Sequence, residues 1–390
     1  MKRICSIFLL FAATLLLGSC ISLKPHGALD TTAPPSDTQA TELADSQATP
    51  NITPPAIWES DSKAAALFFD DHDTIVDAST RDYSYDDMVS DLAALKARYP
   101  AHLSYRSVGR SVAGRELYVA VLGNPDAPQQ AVVSAGIHGR EYLTPLLVMK
   151  QLEFYLHYYD VGDYEGTPYA DLFENCCFYI LPMCNPDGIM LSQTGIDSLT
   201  DESLRATVRA VYEDDLRKGY TSQTDINEYL KFWKANANGV DLNRNFDALW
   251  EDYRMGEPEP CHKNYKGKAP MSEPETQALS ALTDSLSGIV AVLCIHSQGE
   301  VLYWDCGQEG TLALTTRNFT TVIAERNGYQ RIDEQNNDAS YSDWCALERG
   351  LIAVTVETGK GTCPLFIDKF EAMWFDNFDL LPLTAQYFAH

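Results

Sequence analysis

Residues 130–145, QAVVSAGIHGREYLTP, join a strand pattern to a helix start. The run 130–137 is almost continuously apolar and rich in valine, which is typical of a strand covered on both faces. Thr144 and Pro145 follow as a helix start, because threonine caps free N–H groups and proline fits the first helical turn. A buried strand that leads into a helix predicts an α/β fold, with the polar residues 138–141 at the turn between them.

The strand pattern recurs along the chain, and helical stretches separate its occurrences. The further runs are residues 116–123, 176–183, 288–296 and 351–358. This alternation predicts a three-layer α/β/α domain whose central sheet is mixed and mostly buried. The charged segment 192–232 interrupts the pattern, and we expect a helical insertion or a long loop over the sheet edge. Such a segment either shapes a substrate cleft or is a solvated surface excursion.

The N-terminus has the layout of an export signal. A basic start and an apolar run lead to Leu-Gly-Ser-Cys at residues 17–20, which resembles the lipobox of bacterial lipoproteins. We therefore expect residues 1–19 to be a lipoprotein signal peptide and Cys20 to carry the lipid, with an ordinary cleaved signal as the alternative. Residues 20–80, rich in Thr, Pro, Ala and Ser, are expected to form a disordered tether. This organisation predicts an exported, membrane-anchored bacterial surface lipoprotein with a folded domain at 81–390.

Charge and cysteine content exclude several classes of function. A formal net charge of −26 argues against non-specific binding of nucleic acid, which needs clustered Lys and Arg. The cysteines include no Cys-x-x-Cys pair, so a cysteine-built zinc site is not expected. Several lie in apolar runs, whereas Cys261 and Cys306 have looser surroundings and could pair with an unknown partner. We expect a monomer that contacts the membrane through its lipid anchor only.

Polar side chains stand at the ends of three predicted strands. His138 and Glu141 end the first, His296 ends another, and Glu357 ends a third. Ligands of open α/β sheets bind at the carboxyl ends of strands. Two histidines and a carboxylate form a catalytic zinc set that leaves a position for water, and a further glutamate can serve as general base. Each residue alone could be merely hydrogen-bonded or solvated, but their joint occurrence favours a site.

Several ordered motifs resemble those of the carboxypeptidase A-like zinc metallocarboxypeptidases. HGRE at 138–141 is similar to the family's HxxE zinc motif, and GVDLNRNF at 239–246 is similar to its Asn-Arg motif. DWCALERGLIAVTVETG at 343–359 resembles the segment that ends in the catalytic glutamate. The resemblance implies a zinc carboxypeptidase-like catalytic domain over 81–390. It also implies one catalytic Zn²⁺ held by His138, Glu141 and His296, with Glu357 assisting attack of the zinc-bound water.

The resemblance also implies roles for neighbouring residues. Asp241 would orient His138, and Asn243 with Arg244 would bind a substrate carboxylate. Arg140 would add a second carboxylate contact or be a solvated side chain.

Two positions depart from the digestive members of the family. Lys234 stands after Trp233 where those members carry an arginine that stabilises the oxyanion. A gap-free count back from Glu357 puts Ala346 where they carry a tyrosine that closes over the substrate.

Two stretches resemble a bacterial branch of the family. WKANANGVDLNRNF at 233–246 and VETGKGTCPLF at 356–366 look like the γ-D-glutamyl-diamino-acid peptidases, which act on peptidoglycan stem peptides. The prediction is therefore a zinc peptidase that cleaves a peptide bond next to a carboxylate-bearing residue of such peptides. The alternatives are a general metallocarboxypeptidase for ordinary peptides, a non-catalytic binding lipoprotein, and a deacylase or amidase of the same fold.

Overall fold

The computed structural model describes residues 59–70, 73–79, 82–335 and 337–389. The expected signal peptide, Cys20 and most of the expected tether lie outside these ranges. Within them, helices that combine the length and the apolarity needed to cross a membrane are absent.

An eight-stranded mixed sheet forms the centre of the fold. Its strands are β1 Leu103–Arg110, β2 Glu116–Leu122, β3 Gln129–Ala135, β4 Cys176–Leu181, β5 Ile289–His296, β6 Val301–Tyr303, β7 Gln330–Ile332 and β8 Ala353–Glu357. The spatial order is β1-β2-β4-β3-β5-β8-β6-β7. β3 runs parallel to both β4 and β5, and β5 runs parallel to β8, whereas β1, β2 and β6 introduce antiparallel pairs. The predicted mixed sheet is confirmed.

Helices cover both faces of this sheet. They are α1 Glu59–Phe69, α2 Tyr85–Arg98, α3 Leu143–His157, α4 Tyr169–Asn175, α5 Pro186–Thr194, α6 Glu202–Lys218, α7 Ile226–Leu230, α8 Pro274–Asp284, α9 Gly310–Asn327, α10 Tyr341–Asp343, α11 Phe370–Asn377 and α12 Leu380–Phe388. Side chains alternate across a strand, so Val133 of β3 joins one apolar cluster and Val132 joins the other. Full burial of one such side chain contributes roughly 1.5–3 kcal/mol, which makes this double-sided packing a main source of stability.

The described part of the segment before residue 81 is folded, contrary to the expected disordered tether. Ala65 and Phe68 of α1 are buried in the main core, as is Val76. The Val76 N–H donates to the Glu153 carboxylate of α3 at 2.9 Å, and Lys150 Nζ donates to the Val76 carbonyl at 3.1 Å. The expected tether boundary at residue 80 is therefore wrong, and the described part of 59–79 belongs to the folded domain.

The segment 192–232 is helical, as one of the two alternatives predicted. It carries α6 and α7, which enclose a separate apolar cluster together with Trp233. The cysteines at 176–363 are all buried and free, so the pairing considered for Cys261 and Cys306 does not form.

Candidate active site

A tight turn after β3 carries the HGRE residues. Gly139 is packed so closely that a Cβ atom there would lie 2.4 Å from the Gly188 carbonyl carbon and oxygen. Its N–H donates to the Lys234 carbonyl at 3.0 Å. Thr144 does not cap the helix, because α3 already begins at Leu143. Its hydroxyl instead accepts from the Gly136 N–H at 3.1 Å and donates to the Glu141 carbonyl at 2.9 Å, which fixes the turn.

Three predicted metal ligands converge at this turn. Glu141 Oε1 lies 2.7 Å from His138 Nδ1, and Glu141 Oε2 lies 3.2 Å from His296 Nδ1. One ligand atom from each of the three residues lies within 4.8 Å of the others, and all three side chains are buried. Burial raises the pKa of Glu141, but the two imidazoles outweigh it and hold that pKa well below its usual value. This anionic, two-nitrogen donor set fits a catalytic zinc ion.

Asp241 lies behind His138 and is fully buried. Its Oδ1 is 3.2 Å from His138 Nε2, an ion-pair distance without hydrogen-bond alignment. Its two oxygens also accept from the backbone N–H groups of Asn243 and Asn264, at 3.2 and 3.0 Å. Burial raises the pKa of Asp241, yet His138, Arg244 and Lys234 hold it well below its usual value. The carboxylate therefore stays charged and restrains the imidazole.

Glu357 reaches the same centre from β8. The parallel pairing of β8 with β5 sets Glu357 directly beside His296, so the sheet register brings the two strand ends together. Glu357 lines a cleft that also contacts His138 and Lys234. Burial raises the pKa of Glu357 to about 7, and the Glu141 carboxylate raises it further. The positive charges of His296, Lys234 and Arg140 act in the opposite direction.

Asn243 and Arg244 lie on the wall of this cleft, in the short 3₁₀ turn Leu242–Arg244. Arg244 Nε donates to the Tyr253 hydroxyl at 3.1 Å, Nη1 donates to the Asn243 carbonyl at 2.9 Å, and Nη2 lies 3.1 Å from Asp338 Oδ2. Asn243 Oδ1 accepts from the Tyr341 N–H at 3.1 Å. These contacts use at most three of the five N–H groups of Arg244, so two remain for a ligand.

The two other candidate cations differ in position. Lys234 lines the cleft beside Glu357, whereas Arg140 does not. The Arg140 carbonyl accepts from Cys363 Sγ at 3.4 Å. Substrate contact by Arg140 therefore stays a prediction.

The rest of the cleft lining was not foreseen from the sequence. Its residues are Tyr303, Trp304, Asp305, Cys306, Asp338, Ser340, Ser342, Asp343 and Thr355. The carboxylates among them were the available signal, since Asp343 begins one of the recognised motifs. Ala346, which the gap-free count reaches, is only 3% exposed and does not line the cleft. Tyr303, on the strand paired with β8, lines the cleft together with Glu357.

Comparison with known proteins agrees with this geometry. The family described as zinc carboxypeptidase matches residues 88–362. The γ-D-glutamyl-L-diamino acid endopeptidase 1 of Lysinibacillus sphaericus is 30% identical over 296 residues, covering 75% of this chain and 70% of that protein. Mast cell carboxypeptidase A of Mus musculus is 27% identical over 220 residues, covering 56% of this chain and 45% of that protein.

Solved structures share the fold. The crystal structure of carboxypeptidase A from Helicoverpa armigera superposes with a TM-score of 0.59 at 19% identity, and the match covers 84% of this chain and 79% of that one.

Proposed function

The chain belongs to the zinc carboxypeptidase family and is a zinc metallopeptidase, and from this premise we propose that it cleaves the γ-D-glutamyl-diamino acid bond of peptidoglycan stem peptides. In this bond a peptide amide stands next to a residue that carries both a carboxylate and a second amino group. The proposal rests mainly on the charges that line the cleft.

The cleft offers complementary charges for such a residue. Arg244 keeps two N–H groups for a carboxylate, and a guanidinium fork binds both oxygens of that group. The lining also carries Asp305, Asp338 and Asp343, of which Asp338 is paired with Arg244 and Asp343 accepts from the backbone N–H groups of Asp338 and Ser340. Since an ammonium group is attracted to carboxylates, this lining suits a diamino acid better than an apolar C-terminal residue. The acidic side chains in the cleft lining are the main observation in support of the substrate proposal.

The relative from Lysinibacillus sphaericus supports the same substrate. Its name describes an endopeptidase for γ-D-glutamyl-L-diamino acid bonds, and the similarity extends over 70% of its length. The similarity to mast cell carboxypeptidase A supports a second candidate, the removal of C-terminal residues from ordinary peptides. Both candidates need the same carboxylate clamp at Asn243 and Arg244, so they differ only in the bond that is cleaved.

The proposed mechanism assigns a task to each residue of the centre. His138, Glu141 and His296 would hold zinc, and Asp241 restrains His138. Zinc, when bound, supplies a Lewis acid that polarises the scissile carbonyl and acidifies water.

Glu357 and Lys234 act on the reacting atoms. Glu357 accepts the proton of the attacking water and delivers it to the leaving nitrogen, a task suited to a carboxyl whose pKa burial raises towards neutrality. The Lys234 ammonium, which lines the same cleft, stabilises negative charge that develops on the carbonyl oxygen.

Product analysis by mass spectrometry tests the substrate. The purified protein is incubated with L-Ala-γ-D-Glu-meso-diaminopimelate stem peptides and, separately, with ordinary peptides that end in varied residues. We expect cleavage between γ-D-Glu and the diamino acid, and none by Glu357→Gln, which serves as the blank. Cleavage of only the ordinary peptides would favour the carboxypeptidase candidate and reject the peptidoglycan substrate.

We also propose that the protein is anchored at the cell surface through Cys20, close to the peptidoglycan. Cell fractionation of the native chain and of Cys20→Ser tests this. We expect the native chain with the membranes and the variant elsewhere, and equal distribution of the two would reject the lipid anchor.

A further inference from the structure

A second cluster of metal-binding side chains lies away from the cleft. Asp215 of α6 meets Cys261 and His262 of the loop that precedes α8; Asp215 and Cys261 are buried, and the His262 side chain is 12% exposed. Cys261 Sγ lies 3.6 Å from His262 Nδ1 and 3.7 Å from Asp215 Oδ1. His262 Nδ1 lies 2.6 Å from Asp215 Oδ2. The cluster therefore presents one sulfur, one nitrogen and one oxygen donor to a common point.

The spacing of these donors suits a tetrahedral ion. Zinc bonds of about 2.3 Å to sulfur and about 2.0–2.1 Å to nitrogen or oxygen give a sulfur-to-nitrogen edge of roughly 3.6 Å in a tetrahedron. The two sulfur distances in the cluster agree with that edge. The short contact of 2.6 Å between His262 Nδ1 and Asp215 Oδ2 must give way before both residues can bind an ion.

The phenol of Tyr229 contacts the carboxylate of this cluster. The Tyr229 hydroxyl, from α7, donates to Asp215 Oδ2 at 2.6 Å. This leaves Oδ1, the oxygen that faces Cys261, to bind an ion, and metal-bound carboxylates are usually hydrogen-bonded in this way by an outer partner. We propose that Asp215, Cys261 and His262 form a second binding site, with three protein ligands, for a thiophilic divalent ion such as Zn²⁺.

The site would join the helical insertion to the segment that builds the cleft. The His262 carbonyl accepts from the N–H groups of Lys234 and Ala235, at 2.9 and 3.0 Å, and the Cys261 N–H donates to the Gly239 carbonyl at 3.0 Å. An ion at this site therefore fixes the backbone of Lys234 without contacting substrate. Binding releases the thiol proton of Cys261, whose pKa burial raises to about 12 in the absence of an ion. This inference does not depend on the substrate proposed above.

Metal content tests the inference on the full chain. The protein is loaded with zinc, dialysed against metal-free buffer and analysed by mass spectrometry of the elements. We expect two zinc ions per chain in the native protein and one in Cys261→Ser. Cys363→Ser is the matched control, because its buried thiol is close to the ligand Glu141, and it should keep both ions. A native protein that keeps only one zinc overturns the proposal.

Cobalt exchange gives a readout that does not need the Cys261 variant to fold. The three ligands of the catalytic centre contain no sulfur, so a thiolate-to-cobalt charge-transfer absorption reports a cysteine ligand. We expect this absorption in the native protein and in Cys363→Ser. Its absence from the native protein, or its loss in Cys363→Ser, contradicts the assignment to Cys261.

Discussion

Replacing Glu275 by Gln should change the pH dependence of stability. Glu275 lies in the first turn of α8 and is 2% exposed, and its Oε1 accepts from the Val112 N–H at 3.0 Å. Its Oε2 lies 3.3 Å from Asn236 Nδ2, and Asn236 orders the turn that leads to Asp241. Burial raises the pKa of Glu275 to about 8, and the neighbouring Asp187 carboxylate adds to the effect. The folded protein therefore holds a proton that the unfolded chain has lost at neutral pH.

The sign and size of the effect follow from that difference. A raised folded-state pKa adds stability that is complete below the unfolded value near 4.5 and is lost as the pH rises through about 8. One pKa unit corresponds to about 1.4 kcal/mol, so the contribution falls by about 4 kcal/mol between pH 5 and pH 9. The amide of Glu275→Gln stays neutral throughout. The free energy of unfolding of the variant, relative to that of the native protein, should therefore rise by about 4 kcal/mol between pH 5 and pH 9.

Urea unfolding at several pH values, with equal chelator in every sample, measures this difference. Comparison of the variant with the native protein at each pH cancels the titration of all other groups. Glu371→Gln, at an exposed position of α11, is the matched control and should track the native protein to within about 0.5 kcal/mol. A free-energy difference for Glu275→Gln that is constant from pH 5 to pH 9 would refute the reasoning.

Further predictions concern the catalytic centre. Glu357→Gln should lower kcat by roughly 10²–10⁴-fold with unchanged zinc content, and an active variant would exclude Glu357 as the base. Arg244→Lys should raise KM about tenfold for substrates with a free carboxylate, but not for their amidated analogues, because lysine lacks the fork. Chelation should abolish turnover and added zinc should restore it, which assays before and after dialysis will show. Gly139→Ala should lower the free energy of unfolding by about 1–3 kcal/mol in denaturant titrations, since its Cβ would press on the Gly188 carbonyl.

The sequence predicted the parts of the fold that depend on apolar pattern. The long buried strands were identifiable because both faces are apolar, and parallel pairing then brought His296 and Glu357 together as expected. The strand Val301–Tyr303 was missed because three residues carry no periodicity, and with it the neighbouring part of the cleft lining was missed. α1 was missed because its short run of alanine, leucine and phenylalanine adjoins a segment of low complexity.

The position of Glu275 could not be read from the sequence either. Its charge is typical of a helix start, and only the packing of α8 reveals that it is enclosed. The cluster around Cys261 is a similar case, because its ligands come from distant segments and only tertiary structure brings Asp215 to the adjacent pair.

The segment that packs on α3 affects how this protein should be expressed as a fragment. A fragment chosen from the family match would begin near residue 88 and would lack both α1 and Val76. Lys150 and Glu153 would then lose the backbone groups that satisfy them, on a helix whose other end adjoins Glu141. Fragments intended for crystallisation or assay should therefore start before residue 59, so that Lys150 and Glu153 keep their backbone hydrogen-bond partners.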